Sequence, residues 1–292
     1  MSDRRLAVHL ALLFVQVTFG AFPVVGKAVL LHLPPLALAG LRVLVSTPLL
    51  LALAWRFERV RPARRDWPEL ALLGVLGVFL NQVLFILGLQ LTSATNAAIL
   101  MPSIPVFTAA AAAAFGVQRL GPWTVGGIVL ACAGALTVLD PGRWSTTGPA
   151  FWGDLLILGN CLAYAIYLVL QRPVLRRLPP LTVVAWAFLF GGAATVLVSA
   201  PALLGTSVSN LPPTAWIGLT YIVLVPTAVN YALNSWALRR SSPALVAAYT
   251  CLQPVAAAAL AILLLGEGLN VRQVVGFVLI ASGLALVNRR AA

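Results

Sequence analysis

The side chains in this sequence that could do chemistry are mostly uncharged. Asn160, Tyr164 and Tyr167 stand at i, i+4 and i+7, so a helix would bring an amide and two phenols to one face. Asn230 and Asn234 share a face in the same way, with Tyr231 between them, and Tyr249 and Gln253 lie one turn apart. Asn81 is followed by Gln82, Gln16 precedes Phe19 and Phe22, and Asn96 adds a further amide. Aromatic bodies with hydroxyl or amide handles suit a small zwitterion that carries a bulky apolar side chain. Each of these residues could instead bond one helix to another. Recurrence of the combination on several segments favours a cavity lining for the set.

Nothing here supplies a reaction. The chain has no Gly-x-Ser-x-Gly with a suitably placed His, no His-Glu-x-x-His, no paired acids inside an apolar segment and no phosphate-binding Gly-rich loop. Neither enzymatic activity, a cofactor, a metal nor ATP-driven pumping is therefore expected. Cys132, Cys161 and Cys251 each lie inside an apolar segment without Cys-x-x-Cys spacing, and are read as small buried apolar residues. Asp3, Glu58, Asp66, Glu69, Asp140, Asp154 and Glu267 fall at termini, loops or helix ends, while His9 lies near the cytoplasmic end of the first segment and His32 in the outer loop that follows it. A carboxylate relay for protons is not expected.

The elements that must position these groups are membrane helices. The chain is 61% hydrophobic and 9% charged, with mean hydropathy +0.99, which describes a polytopic membrane protein in a lipid bilayer. A net charge of +12 could suggest a nucleic-acid partner, but the cations sit in short runs between apolar stretches and form no basic face. Arg4 and Arg5 precede an apolar run without a small-residue cleavage site, so that run reads as the first span. Ten spans are expected, near residues 6–30, 34–55, 68–90, 93–116, 121–139, 150–171, 180–203, 213–236, 241–265 and 270–288. In alternate connections fifteen arginines lie on one side, five of them in the 56–66 loop, against Arg143 and Arg272 on the other. That bias puts both termini in the cytoplasm. Lys27 and Arg42 lie inside spans. Lys27 can snorkel to the interface, whereas Arg42 must find carbonyls, phosphate or a cavity, with structural pairing the favoured reading.

The chain also repeats itself. At a constant offset of 149, Trp67 returns as Trp216, Asn81 as Asn230, Ser93 as Ser242, Pro105 as Pro254, Gly127 as Gly276 and Gly134 as Gly283. Leu33-Pro34-Pro35-Leu36 returns as Leu178-Pro179-Pro180-Leu181. The expected architecture is all-α, with two five-helix repeats over 1–146 and 147–292. Five is odd, so the second repeat is inverted, which points to alternating access around a site near the midplane. Pro23, Pro102, Pro105, Pro226 and Pro254 interrupt predicted helices. Pro105 and Pro254 are the candidate paired hinges, with fixed bends as the alternative. The glycine pairs suit either an internal contact between the fifth and tenth helices or a dimer seam, and a monomer is favoured.

Two stretches resemble a known family. Gly88-Leu89-Gln90-Leu91-Thr92-Ser93-Ala94-Thr95-Asn96-Ala97-Ala98 with Pro105-Val106-Phe107-Thr108 is similar to the EamA family, the ten-helix branch of the drug/metabolite transporter superfamily. Ser241-Ser242-Pro243-Ala244 through Gln253-Pro254-Val255 to Leu265-Gly266-Glu267 matches that family's second repeat, although Gln118 stands where symmetry would put a second Glu. Among members the chain most resembles bacterial exporters of the YddG type. The resemblance implies export of aromatic and other apolar amino acids across the bacterial inner membrane. A cation/proton antiporter would want an acid in the first helix, and a phosphate carrier more cations at the midplane; proton-coupled export of other metabolites or drugs is the alternative.

Overall fold

The computed structural model describes residues 3–116, 121–138, 148–207, 211–253, 260 and 270–288. Every described element is helical. Helix α1 spans Asp3–Leu30 and α2 Pro35–Phe57. A continuous rod then runs through α3 (Trp67–Gly74), a π-helical segment Val75–Leu80 and α4 (Asn81–Leu91). Next come α5 (Ala94–Leu100), α6 (Ser103–Ala114), α7 (Pro122–Val138), α8 (Pro149–Arg177) and α9 (Pro180–Leu204). The rod α10 (Pro213–Ile222), π-segment Val223–Val229 and α11 (Asn230–Arg240) is followed by α12 (Pro243–Ala248), a 3₁₀ turn Tyr249–Leu252 and α13 (Val271–Asn288).

Seven helices among the described residues are long and apolar enough to cross a membrane, and Val125–Gly134 and Val271–Gly283 form shorter apolar helices. The part of the expected ninth span beyond Gln253, residue 260 excepted, lies outside the described residues, as do the hinge candidate Pro254, Gln118 and Glu267. Prolines set many of the starts: Pro35, Pro149, Pro180, Pro213 and Pro243 each occupy a first turn, where no amide hydrogen is lost. Helix α1 runs through Pro23 without ending. The expected fourth span is broken at Met101-Pro102, and Pro105 sits just inside α6, so the interruption precedes Pro105 by a turn.

Local structure recurs at the sequence offset. The two π-segments, Val75–Leu80 and Val223–Val229, fall at nearly equivalent positions, each immediately before the matched Asn81 and Asn230. Ser93 and Ser242 are both N-caps: the Ser93 hydroxyl accepts from the Asn96 amide at 2.9 Å, and that of Ser242 from the Leu245 amide at 3.2 Å.

One core runs through the bundle, from Leu12 and Leu38 to Phe85, Ile86, Phe188 and Leu238. Helix α2 packs on α9, α4 on α8 and α7 on α13. The last pair approaches at backbone distance: a Cβ on Gly134 would stand 2.7 Å from the Gly276 carbonyl oxygen and 2.9 Å from the Ile280 nitrogen. The glycine faces therefore meet within one chain. Outward surfaces are apolar, with Leu10, Phe14, Leu197 and Ile217 exposed, as a lipid-facing surface requires. Cys161 is buried, its thiol 3.6 Å from the Leu100 carbonyl, but Cys132 lies on the exposed face of α7, contrary to the burial expected of it.

The loops carry polar latches. The Glu58 carboxylate caps α9, accepting from the amides of Leu181 at 3.1 Å and Thr182 at 2.7 Å and from the Thr182 hydroxyl at 2.8 Å. Negative charge at a helix N-terminus meets the positive end of its dipole. Arg177, at the end of α8, pairs with Asp66 at 2.8 Å and with Glu69.

Candidate functional site

A cavity opens where these helices converge. Helix α1 gives it Gln16, Phe19, Phe22 and Pro23, and α2 gives Arg42. From α4 come Asn81, Gln82 and Phe85; Met101 and Ile104 flank the break before α6. Asn160 and Tyr164 of α8 and Tyr231 of α11 form the facing wall, which Thr250 and Gln253 complete.

Hydrogen bonds hold this wall in place. Asn160 Nδ2 donates to the Asn81 carbonyl at 2.6 Å, and the Tyr231 hydroxyl lies 2.8 Å from both Gly77 O and Asn81 Oδ1. Asn234 Nδ2 donates to the Tyr164 hydroxyl, and Gln253 Nε2 to Gln16 Oε1. Phe22 stacks on Phe85 with centroids 4.8 Å apart, and Phe188 meets Tyr231 edge-on at 5.0 Å. The wall thus alternates rings with oriented amides, an arrangement that fits a ligand having both apolar and polar parts.

Five of the sequence-derived candidates stand elsewhere. Asn230 faces α1, donating to Val15 O at 3.3 Å and accepting from the Thr18 hydroxyl at 3.1 Å. The two repeats pack differently here: α11 sets Asn230 against α1, and its neighbour Tyr231 lines the cavity instead. Asn234 braces Tyr164 from behind. Tyr167 is buried, its hydroxyl accepting from Gln171 Nε2 at 2.7 Å. Tyr249 and Asn96 lie at opposite ends of the bundle.

At one end, the Tyr249 hydroxyl is 2.5 Å from His9 Nδ1. An open space of about 1600 Å³ lies there, bounded by Ala7, His9, Trp236, Arg240, Ser242 and Leu245. At the other end, Asp154 is buried inside α8. It accepts from the Thr92 hydroxyl at 2.5 Å and from Asn96 Nδ2 at 3.0 and 3.3 Å, while Gln273 Nε2 donates to Asn96 Oδ1 at 2.6 Å. The crossing is tight because glycines meet: a Cβ on Gly153 would stand 2.7 Å from the Thr92 nitrogen. Asp154 stands near the start of α8, as expected of it, and is buried there. Lys27, also at this end, donates to Gln90 O at 3.3 Å.

Arg42 is the functional candidate that spacing could not place. It is 2% exposed, and its Nε and Nη2 donate to Thr227 Oγ1 at 3.2 and 3.1 Å. Its guanidinium carbon lies 4.4 Å from the Phe22 ring centroid, and Nη1 has no partner. A buried charge in a span was a signal in the sequence; its partner, 185 residues away, was not.

Comparison with known proteins agrees with this architecture. A model of the EamA-like transporter family matches twice, over residues 6–139 and 151–289. The chain is 27% identical to the Arabidopsis thaliana protein WALLS ARE THIN 1, over 97% of this chain and 82% of that one. It is 26% identical to an uncharacterized transporter of Archaeoglobus fulgidus, over 97% of each chain. It is 29% identical to a probable terminal-alkyne amino-acid exporter of Streptantibioticus cattleyicolor, over 79% of this chain and 76% of that one. A solved crystal structure shares the fold across 99% of both chains, with TM-score 0.67 at 18% identity. Matched over nearly its whole length, the chain is an integral membrane protein that belongs to the EamA-like transporter family.

Proposed function

We propose that this protein is a secondary transporter, not an enzyme, that exports amino acids with aromatic or other apolar side chains across a bacterial inner membrane. Residues 1–146 and 147–292 act as two inverted five-helix halves, and both termini are cytoplasmic. The single observation that carries the reading is the cavity wall, in which Gln16, Asn81, Asn160 and Tyr164 present polar atoms among Phe19, Phe22 and Phe85. The twofold match of the family model and the recurrence of π-segments before Asn81 and Asn230 support the duplicated design. The similarity to a probable amino-acid exporter supports the substrate class. Alternating access moves the cavity between the two ends without cofactor or ATP. The test is counterflow of labelled Phe, Thr and Met in proteoliposomes, with a cationic dye as control. Exchange of the dye but of none of the amino acids overturns the proposal.

A second reading has its own observation. Asp154 is an ionisable group buried within a span, and such groups mark proton pathways. It would make export proton-coupled and admit other metabolites or drugs. Concentrative uptake into inside-out vesicles driven by a pH gradient alone decides for it.

A further inference from the structure

We infer that Arg42 is the anion-binding residue of the cavity and that it takes a single carboxylate, held on the edge of the guanidinium that the protein leaves free. This rests on the cavity being the substrate site. The guanidinium has two faces and three in-plane edges. Phe22 covers one face, with the guanidinium carbon 4.4 Å from the ring centroid. Thr227 occupies the edge between Nε and Nη2, through one hydroxyl oxygen. That hydroxyl donates its own proton to Ile222 O at 2.6 Å, so it serves as a neutral acceptor and leaves the charge uncompensated. What remains is Nη1, buried and without a partner on a residue that lines the cavity.

A buried guanidinium without a counter-charge is costly. A carboxylate set against Nη1 and the outer hydrogen of Nη2 would supply both the missing acceptors and the missing charge, in the two-bond geometry that arginine favours. Among the described residues, no second cation lines the cavity. One positive charge neutralises a carboxylate and leaves a phosphate dianion only half compensated. With the carboxylate at Arg42, the rest of the ligand faces Phe22, Phe85 and the amides of Asn81 and Gln82.

The test compares four probes on purified protein by ligand-dependent thermal stabilisation: phenylalanine, phenylalaninamide, 3-phenylpropionate and 2-phenylethylamine. Wild type should respond to phenylalanine and 3-phenylpropionate and not to the amide or amine. Arg42→Gln should weaken the response to both acids by at least about 10-fold, as loss of a charged hydrogen-bond pair does. Arg42→Lys should recover part of it. A response to 3-phenylpropionate without one to phenylalanine supports the role of Arg42 and removes the amino-acid reading. The inference is overturned if wild type binds the amide or amine as well as the acids, if Arg42→Gln keeps the preference for acids, or if none of the four binds wild type. The wild-type comparison needs no variant, so it decides even if Arg42→Gln fails to fold.

Discussion

The side-chain amide of Asn160 donates to the main-chain carbonyl of Asn81 at 2.6 Å, so α8 holds α4 where the two walls of the cavity meet. The bond places Asn160 and Asn81 side by side, and Asn81 Oδ1 in turn receives the Tyr231 hydroxyl. Three helices are thereby set relative to one another by a chain of neutral bonds. Replacing Asn160 with Leu should lower stability by about 0.6–1.7 kcal/mol, the range found for hydrogen bonds between membrane helices. Thermal unfolding in detergent measures this. Counterflow should fall by more than the stability loss explains, because Asn81 and Tyr231 lose their alignment. Unchanged counterflow would reduce Asn160 to a packing residue.

The packing of α7 against α13 makes a second prediction. A Cβ on Gly134 would meet the Gly276 carbonyl oxygen, which belongs to backbone and cannot swing aside. Gly134→Leu should therefore destabilise the protein by about 1–3 kcal/mol, the usual cost of overpacking. Gly126→Leu serves as the control, since a Cβ there meets nothing within 4 Å. Equal melting temperatures for the two variants would mean that these helices do not pack as described.

Much of this fold was legible in the sequence because its signals are local. Apolar length located the helices, proline and serine marked several of their starts, and the offset of 149 matched Ser93 to Ser242 before either was seen to cap a helix. The site was less legible. Helical spacing identifies residues that share a face, as with Asn160 and Tyr164, but not which face meets the cavity. The repeat pairs Asn230 with Asn81, yet Asn230 packs on α1 while Tyr231 lines the cavity. Long-range partners leave no local trace either: Arg42 finds Thr227, and Asp154 finds Thr92 and Asn96, only after the chain has folded.

Those partners make Asp154 testable on its own. Asp154→Leu leaves the buried Thr92 hydroxyl and the half-buried Asn96 amide without their acceptor, which costs about 1–3 kcal/mol for the buried hydroxyl and less for the amide. Asp154→Asn retains an acceptor oxygen and should lose much less. Comparing the two melting temperatures gives the polar contribution of the cluster. If the carboxylate is structural, Asp154→Asn should also keep counterflow at every pH tested. If export is proton-coupled, the variant should lose its response to a pH gradient while still exchanging substrate.

The two ends of the bundle make the last prediction. Arg61 is exposed in the arginine-rich connection, and Leu31 is exposed in the turn that follows α1. With Cys132, Cys161 and Cys251 replaced by Ala, Arg61→Cys should react with a membrane-impermeant thiol reagent only from the cytoplasmic side. Leu31→Cys should react only from the other side. Leu245 borders the open space beside His9 and Arg240, so Leu245→Cys should follow Arg61→Cys. A substrate that draws the cavity outward should slow labelling of Leu245→Cys without changing that of Arg61→Cys. Labelling of Arg61→Cys and Leu31→Cys from one side would contradict the crossing of the membrane by α2, and the orientation proposed for the whole chain would go with it.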